Sequence, residues 1–357
     1  MHREETLLGF LLGIQEECGG IIPFHRLMAE ALHHPRFGYY GAQIADVGAR
    51  GDFSTSATLS GRLGSAIASW AIARSAELGW KRLPLIEIGA GNGQLAAAVL
   101  GRLGWLRRLR TDYLIVESSP VLRARQERLL HRRGVRWHDS VESALRTLGG
   151  RALIFSNELV DAFPCRLFEK TTEGWRELGV TLSPEGSLSE CFASSPLADP
   201  WFGTLGPLPE GQRVERHDAY GAWLQSWEAA WREGALLTID YGEEAESLYT
   251  RRPEGSLRAY WKHRRLTGSE VYARFGKQDL TADINFSDLM EWGRKLGWTT
   301  RRLATQREFL ETWSPGQPSS GDIDGILGSP DGAGGAFKVL EQNPGDRPSV
   351  RRGTERT

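Results

Sequence analysis

Glu87-Ile88-Gly89-Ala90-Gly91-Asn92-Gly93 is the stretch on which the reading of this chain turns. It closes a short apolar run, residues 83–88, and leads into a helical pattern at residues 95–103. The local order is therefore strand, glycine turn, helix. Glycines let the backbone pass close to a ligand, and the following helix start offers free N–H groups. Dinucleotide-binding turns place the third glycine three residues after the second. Here it follows by two, giving Gly-x-Gly-x-Gly behind an acid, the commoner spacing where the ligand is an amino-acid-bearing nucleoside. A ligand-free strand–helix turn would leave the same pattern, so the motif needs a second element.

That element is Glu117, which ends the next buried strand, residues 113–117, and is followed by Ser118. An acid at this place can accept hydrogen bonds from both hydroxyls of a ribose. It can also cap the helix that Pro120 opens. The two acids favour a nucleoside cofactor without separating S-adenosylmethionine from a nicotinamide dinucleotide. Further strands at 135–137 and 152–156 complete a βαβαβαβ rhythm, which predicts a largely parallel sheet covered by helices on both faces. After the fourth strand comes Ser156-Asn157-Glu158-Leu159-Val160-Asp161-Ala162-Phe163-Pro164, at the carboxyl edge beside the cofactor. If Glu158 and Asp161 share one helical turn, their spacing puts both carboxylates on one face, where they can hold a guanidinium. The alternative is that they cap the helix or pair with nearby arginines. Asn157 joins this group as a candidate for both cofactor and catalysis.

Outside this core the pattern predicts helices at residues 4–15, 24–32 and 60–79, within an N-terminal helical extension, residues 1–79. The core itself spans 80–165 and 232–342. Residues 166–231 read as an insertion subdomain of short strand-like pieces and Gly/Pro/Ser loops, and 243–285 as an irregular substrate-side segment. Residues 286–296 read as a helix, 298–303 with 336–340 as a closing antiparallel pair, and 343–357 as a disordered tail. The polar turn Gly51-Asp52-Phe53-Ser54-Thr55-Ser56 reads first as a cap for the helix beginning at residue 60.

The totals exclude several classes. Lys+Arg number 44 against Asp+Glu 45, so no global charge recruits nucleic acid, and none is expected as a partner. Local basic runs, Arg107-Arg108-Leu109-Arg110 and His131-Arg132-Arg133, read as solvated helix ends. Cys18, Cys165 and Cys191 lack the paired spacing of a disulfide framework or a zinc site, and no metal is expected. The apolar stretch at residues 7–14 is too short to span a bilayer, so no membrane contact is expected. A cytoplasmic protein is the resulting expectation, and a homodimer is compatible with it.

Taken in order, these pieces resemble the MidA-type, DUF185-like family of methyltransferases, whose mitochondrial members are complex I assembly factors that methylate a protein arginine. The resemblance rests on residues 31–40 (Ala-Leu-His-His-Pro-Arg-Phe-Gly-Tyr-Tyr), the Gly51–Thr55 turn, residues 87–93, 116–123 and 156–164, Ile239-Asp240-Tyr241-Gly242, and residues 255–260 and 278–286. Phe337-Lys338-Val339-Leu340 extends it towards the C-terminus. It implies a Rossmann-like, seven-stranded core and S-adenosylmethionine as cofactor. It also implies a protein acceptor, with arginine the best-known side chain. On this reading Gly51, Asp52, Phe53, Thr55, Glu87, Gly89, Gly91, Gly93, Glu117, Ser118 and Asn157 hold the cofactor. Glu158 and Asp161 orient the acceptor, and Arg258 and His263 line its entrance. Ala57-Thr58 departs from the family's usual Pro-Glu pair. That lost acid motivates a second reading, a non-catalytic assembly factor of the same fold, and a small-molecule methyltransferase stands beside it as a third.

Overall fold

The computed structural model describes residues 6–43, 61–262, 264–315 and 333–345. Its centre is a sheet containing β1 (Leu83–Ile88), β2 (Thr111–Val116), β3 (Val135–His138), β4 (Arg151–Asn157), β5 (Glu233–Glu243), β6 (Thr299–Thr305) and β7 (Phe337–Asn343). The strands lie in the order β6-β7-β5-β4-β1-β2-β3, with the short strand Ile284–Asn285 added beside β5. β7 runs antiparallel to β5 and β6, and the pairings among the first five strands are parallel. From β1 the chain moves outward through β2 and β3, then returns to place β4 on the other side of β1. The crevice between β1 and β4 is thus the point where strand order reverses, the place such sheets reserve for ligands.

Burial on both faces explains why these strands read as unbroken apolar runs. On one face Leu85, Tyr113, Leu153 and Phe155 pack against helices Gly61–Glu77 and Gln94–Arg108 through Ile67, Trp70, Val99 and Leu103. On the other, Ile86, Leu114 and Ile154 meet Leu145, Leu224, Trp227 and Leu289 from helices Val141–Thr147, Asp218–Trp227 and Phe286–Lys295.

Two smaller antiparallel sheets sit beyond the carboxyl edge. One joins Ile22–Pro23, Gly174–Leu182, Arg166–Thr171 and Arg213–Arg216, with Leu188–Phe192 along its side. The other joins Arg264–Leu266, Arg258–Trp261 and Asp279–Thr281. Helix Phe24–His33 packs Phe24, Leu27 and Met28 against Leu167 and Val180 of the first and Ala259 and Leu280 of the second. The expectation that 243–285 is irregular is therefore corrected, since it holds a helix, Ala245–Arg251, and a three-stranded sheet. Those strands are short, and Arg264-Arg265 hides their alternation. The Arg258–Trp261 strand also finds a partner about twenty residues away, Tyr260 lying opposite Asp279. The expected tail beyond residue 345 lies outside the described residues; Asn343 ends β7.

Candidate functional site

The glycine turn adopts backbone angles that only glycine takes readily. Gly89, Gly91 and Gly93 have φ of 67°, 53° and 83°. A Cβ on Gly89 would also stand 2.9 Å from the Leu159 side chain. Gly93 starts helix Gln94–Arg108, and Gln94 N–H donates to Asn92 Oδ1 at 3.1 Å. The helix start therefore faces a cleft bordered by Glu87, Gly89, Gly91, Glu117, Ser118, Asn157, Glu158 and Asp161. Across it stand His33, Tyr39, Tyr40 and Asp279. Gly93 is not part of the lining and acts on the turn's course.

Glu117 is held by its neighbours without being used up. Its Oε1 accepts from Ser119 N–H at 2.8 Å, and its Oε2 accepts from Gln126 Nε2 at 2.9 Å. Each carboxylate oxygen has a second lone-pair direction, so two further donors can be accepted. Burial raises its pKa above the ordinary range, partly countered by those hydrogen bonds. Gln126 is fully buried and also donates to Gly91 O at 2.9 Å, while Trp137 Nε1 donates to Gln126 Oε1 at 2.9 Å. One amide thereby ties the glycine turn to the acid on the next strand. Glu87 accepts a hydrogen bond from Tyr113 Oη, and burial pushes its pKa up to about 7.

The turn after β4 differs from the single helical face expected. Glu158 has φ 50°, a left-handed conformation uncommon for a side-chain-bearing residue, and Asp161 lies in the 3-10 turn Val160–Ala162. The i,i+3 argument fails because residue 158 is not helical. Both acids nevertheless border the cleft. The turn is tied down by Asp240, fully buried on β5. Its Oδ2 accepts from the N–H groups of Leu159, Val160 and Asp161 at 3.2, 2.9 and 3.4 Å, and its Oδ1 from Tyr241 N–H at 2.9 Å. Asp161 Oδ2 accepts from Thr281 Oγ1 at 3.1 Å and from Tyr241 Oη, while its buried Oδ1 has no partner. Burial raises the pKa of Asp161; burial together with the nearby Asp161 and Glu158 carboxylates raises that of Asp240. Asn157 donates to Glu158 Oε1 at 3.0 Å, and its own Oδ1 is likewise buried and unpartnered.

Arg258 is not an open cation at an entrance. It is buried, donates to Asp283 Oδ1 at 2.6 Å and lies 4.8 Å from the Tyr241 ring centre, outside the cleft lining. Gly51, Asp52, Phe53, Thr55 and His263 lie outside the described residues. The residues missed from sequence are Gln126, Asp240, Tyr40, Asp279 and His33. Tyr40 Oη donates to Asp279 Oδ1 at 2.9 Å, and its ring stacks on His33, whose Nε2 sits 3.0 Å from Ala162 O. Asp240, Tyr40 and Asp279 lie within the stretches that carry the family resemblance, which is the signal that could have found them. Gln126, set among arginines on helix Pro120–Leu129, had no such signal.

A glycine turn at the switch point of a Rossmann-like sheet, with a two-pronged acid at the tip of the neighbouring strand, forms a site for a nucleoside cofactor. The chain belongs to the family of S-adenosyl-L-methionine-dependent methyltransferases, which it matches over residues 66–304. It is 30% identical to the protein arginine methyltransferase NDUFAF7, mitochondrial, of Danio rerio, over 82% of this chain and 73% of the relative. It is 28% identical to the NDUFAF7 homolog of Caenorhabditis elegans, over 76% of this chain and 68% of that one. A crystal structure from Burkholderia thailandensis, bound to S-adenosyl-homocysteine, superposes with a TM-score of 0.83 at 29% identity, covering 96% of this chain and 92% of that one. S-adenosylmethionine is the cofactor, and the chain is a methyltransferase. The cytoplasmic expectation is overturned, because these relatives are named as mitochondrial proteins. Composition and cysteine spacing exclude a disulfide framework but carry no compartment address.

Proposed function

We propose that this methyltransferase acts on an arginine side chain of a protein, and that the turn after β4 receives the guanidinium. One observation carries the reading. The described cleft lining holds five carboxylates, Glu87, Glu117, Glu158, Asp161 and Asp279, and no Lys or Arg. Burial raises the pKa values of Glu87, Glu117 and Asp161, and a bound cation offsets the cost of keeping such buried carboxylates charged. The names of the Danio rerio and Caenorhabditis elegans relatives point to the same acceptor.

The residues fit the cofactor. Glu117 has two lone pairs left for ribose hydroxyls, the turn at Gly89 and Gly91 leaves room for close approach, and Asn157 Oδ1 is an acceptor for an ammonium. Gly93, Glu87 and Ser118 complete this end, the first by setting the turn's course. The adjoining groove over Asp139, Ser140 and Val141 shares Gly89, Glu117 and Ser118 with the cleft and offers space for the base. When bound, S-adenosylmethionine supplies an electrophilic methyl group on a sulfonium. The protein's part is positioning and charge. Asp161 Oδ1 accepts a guanidinium N–H and Glu158 accepts another. Glu158 then takes the proton that the reacting nitrogen must lose. Tyr241 and Thr281 hold Asp161 in place, and Asp240 holds the whole turn.

The test is transfer of labelled methyl groups to protein in lysate, followed by acid hydrolysis. Labelled methylarginine, lost in Glu158→Gln and Asp161→Asn, is the expected result. Label confined to small molecules, or to residues other than arginine, would overturn the acceptor assignment.

A further inference from the structure

The edge of the sheet opposite the cleft carries a feature that methyl transfer does not use. Helix Gln94–Arg108 is interrupted at Gly104, whose φ of 68° and ψ of 168° are not helical. Beyond the break, Trp105, Leu106 and Leu109 are 68%, 62% and 69% exposed, so three large apolar side chains project together from the surface. Buried apolar positions dominate the same helix before the break, at Leu95, Ala96, Val99, Leu100 and Leu103.

Cations surround this apolar knob. Arg107, Arg108 and Arg110 are exposed beside it. The ladder pairs Tyr113 of β2 with Val135 of β3, so the connections leading into the two strands lie side by side. The second brings exposed Arg128 and Arg132 to the same edge. Residues 101–111 and 128–138 contain no Asp or Glu. Asp112, at the start of β2, already holds Arg82 at 2.7 Å and Arg136 at 3.6 Å. A chain with net charge −1 thus segregates a cationic rim around a tryptophan and two leucines.

We propose that this edge docks on an anionic lipid bilayer, as a peripheral contact. Tryptophan and leucine gain by entering the interface, and arginines at headgroup level add electrostatic attraction. A second copy of the chain would set cations against cations across a two-fold axis. A nucleic-acid backbone supplies charge but no apolar partner for the leucines. No described helix is long and apolar enough to cross a membrane, and the docking needs none. Because the cleft lies at the other edge of the sheet, docking leaves it facing water. The expectation of no membrane contact considered only a spanning segment.

The experiment is sedimentation of the full chain with vesicles of phosphatidylglycerol and phosphatidylcholine, against phosphatidylcholine alone, at 0.15 M salt. Binding is expected to the anionic vesicles. It should fall about five-fold for each of Arg107→Gln and Arg108→Gln. The triple variant Trp105→Ser, Leu106→Ser, Leu109→Ser should lose it, with S-adenosylhomocysteine affinity unchanged. Dibrominated acyl chains should quench tryptophan emission in the parent and not in Trp105→Phe. Absence of vesicle binding, equal binding to neutral vesicles, binding indifferent to the triple variant, or a preference for duplex nucleic acid would each overturn the proposal. So would a dimer that the triple variant dissolves.

Discussion

The two ends of the cleft are built differently. At the cofactor end, the contacts that shape the site join residues on consecutive strand–helix units: Gly91 to Gln126, Glu117 to Ser119 and Gln126. At the acceptor end, the turn Glu158–Ala162 is held by Asp240, Tyr241 and Thr281, about 80 to 120 residues away. The first end can form whenever one βαβ unit folds. The second exists only once β5 and the accessory sheet that carries Thr281 are in place. Changes at the first should therefore act on cofactor affinity, and changes at the second on turnover with affinity spared.

The largest effect is expected for Glu117→Ala. It removes two proposed ribose contacts, costs Gln126 Nε2 one of its two acceptors while Gly91 O remains, and takes the acceptor from Ser119 N–H. Charge-assisted hydrogen bonds contribute roughly 1.5–3 kcal/mol each, so S-adenosylhomocysteine affinity should fall more than about a hundred-fold by calorimetry. An unchanged affinity would erase the contrast between the two ends.

Glu87 yields a pH signature of nearly the same size. Its folded pKa of about 7 lies above the ordinary 4.5. A raised carboxyl contributes fully below the lower value and loses that contribution as pH rises through the upper one. From this group the apoprotein loses roughly 3 kcal/mol between about pH 4.5 and 7. Glu87→Gln should flatten the slope and gain stability over the parent at pH 8. Denaturant unfolding at pH 5 and 8 checks this, and identical slopes for the two proteins would refute it.

Asp240→Asn comes next. It puts an amide N–H2 where an oxygen now accepts backbone hydrogen bonds, and it loosens the strained turn that carries Glu158. Turnover should drop about ten- to a hundred-fold while cofactor affinity stays within about three-fold. A parallel loss of both would show that the two ends are not separable.

The smallest effect on the cleft should come from Phe202→Ala. Phe202 stacks on Trp175 at 4.9 Å and packs edge-on to Phe168 at 5.2 Å, in the cluster behind the first accessory sheet. The substitution costs about 3–5 kcal/mol of stability and should leave S-adenosylhomocysteine affinity unchanged. A large change in affinity would mean that this sheet supports the cofactor end as well.

The same contrast explains what could be read from residues alone. The glycine turn, Glu117 and the four parallel strands announce themselves within about 75 consecutive residues, because their contacts are local and their pattern regular. The left-handed Glu158 could not be read, since its conformation depends on backbone amides anchored by Asp240 on another strand. Arg258 looked like a free cation at an entrance because nothing in its neighbourhood revealed Asp283, 25 residues on. Gln126 reads as one more polar position on an arginine-rich helix until Trp137 and Gly91 are seen against it.

A crystal structure of this chain with S-adenosylhomocysteine tests the central claim most directly. The account predicts the ribose hydroxyls within hydrogen-bonding distance of both Glu117 oxygens, with Gln126 still bridging to Gly91, and the sulfur facing Glu158 and Asp161. A ligand whose ribose lies away from Glu117, or whose sulfur points away from the turn after β4, would contradict it.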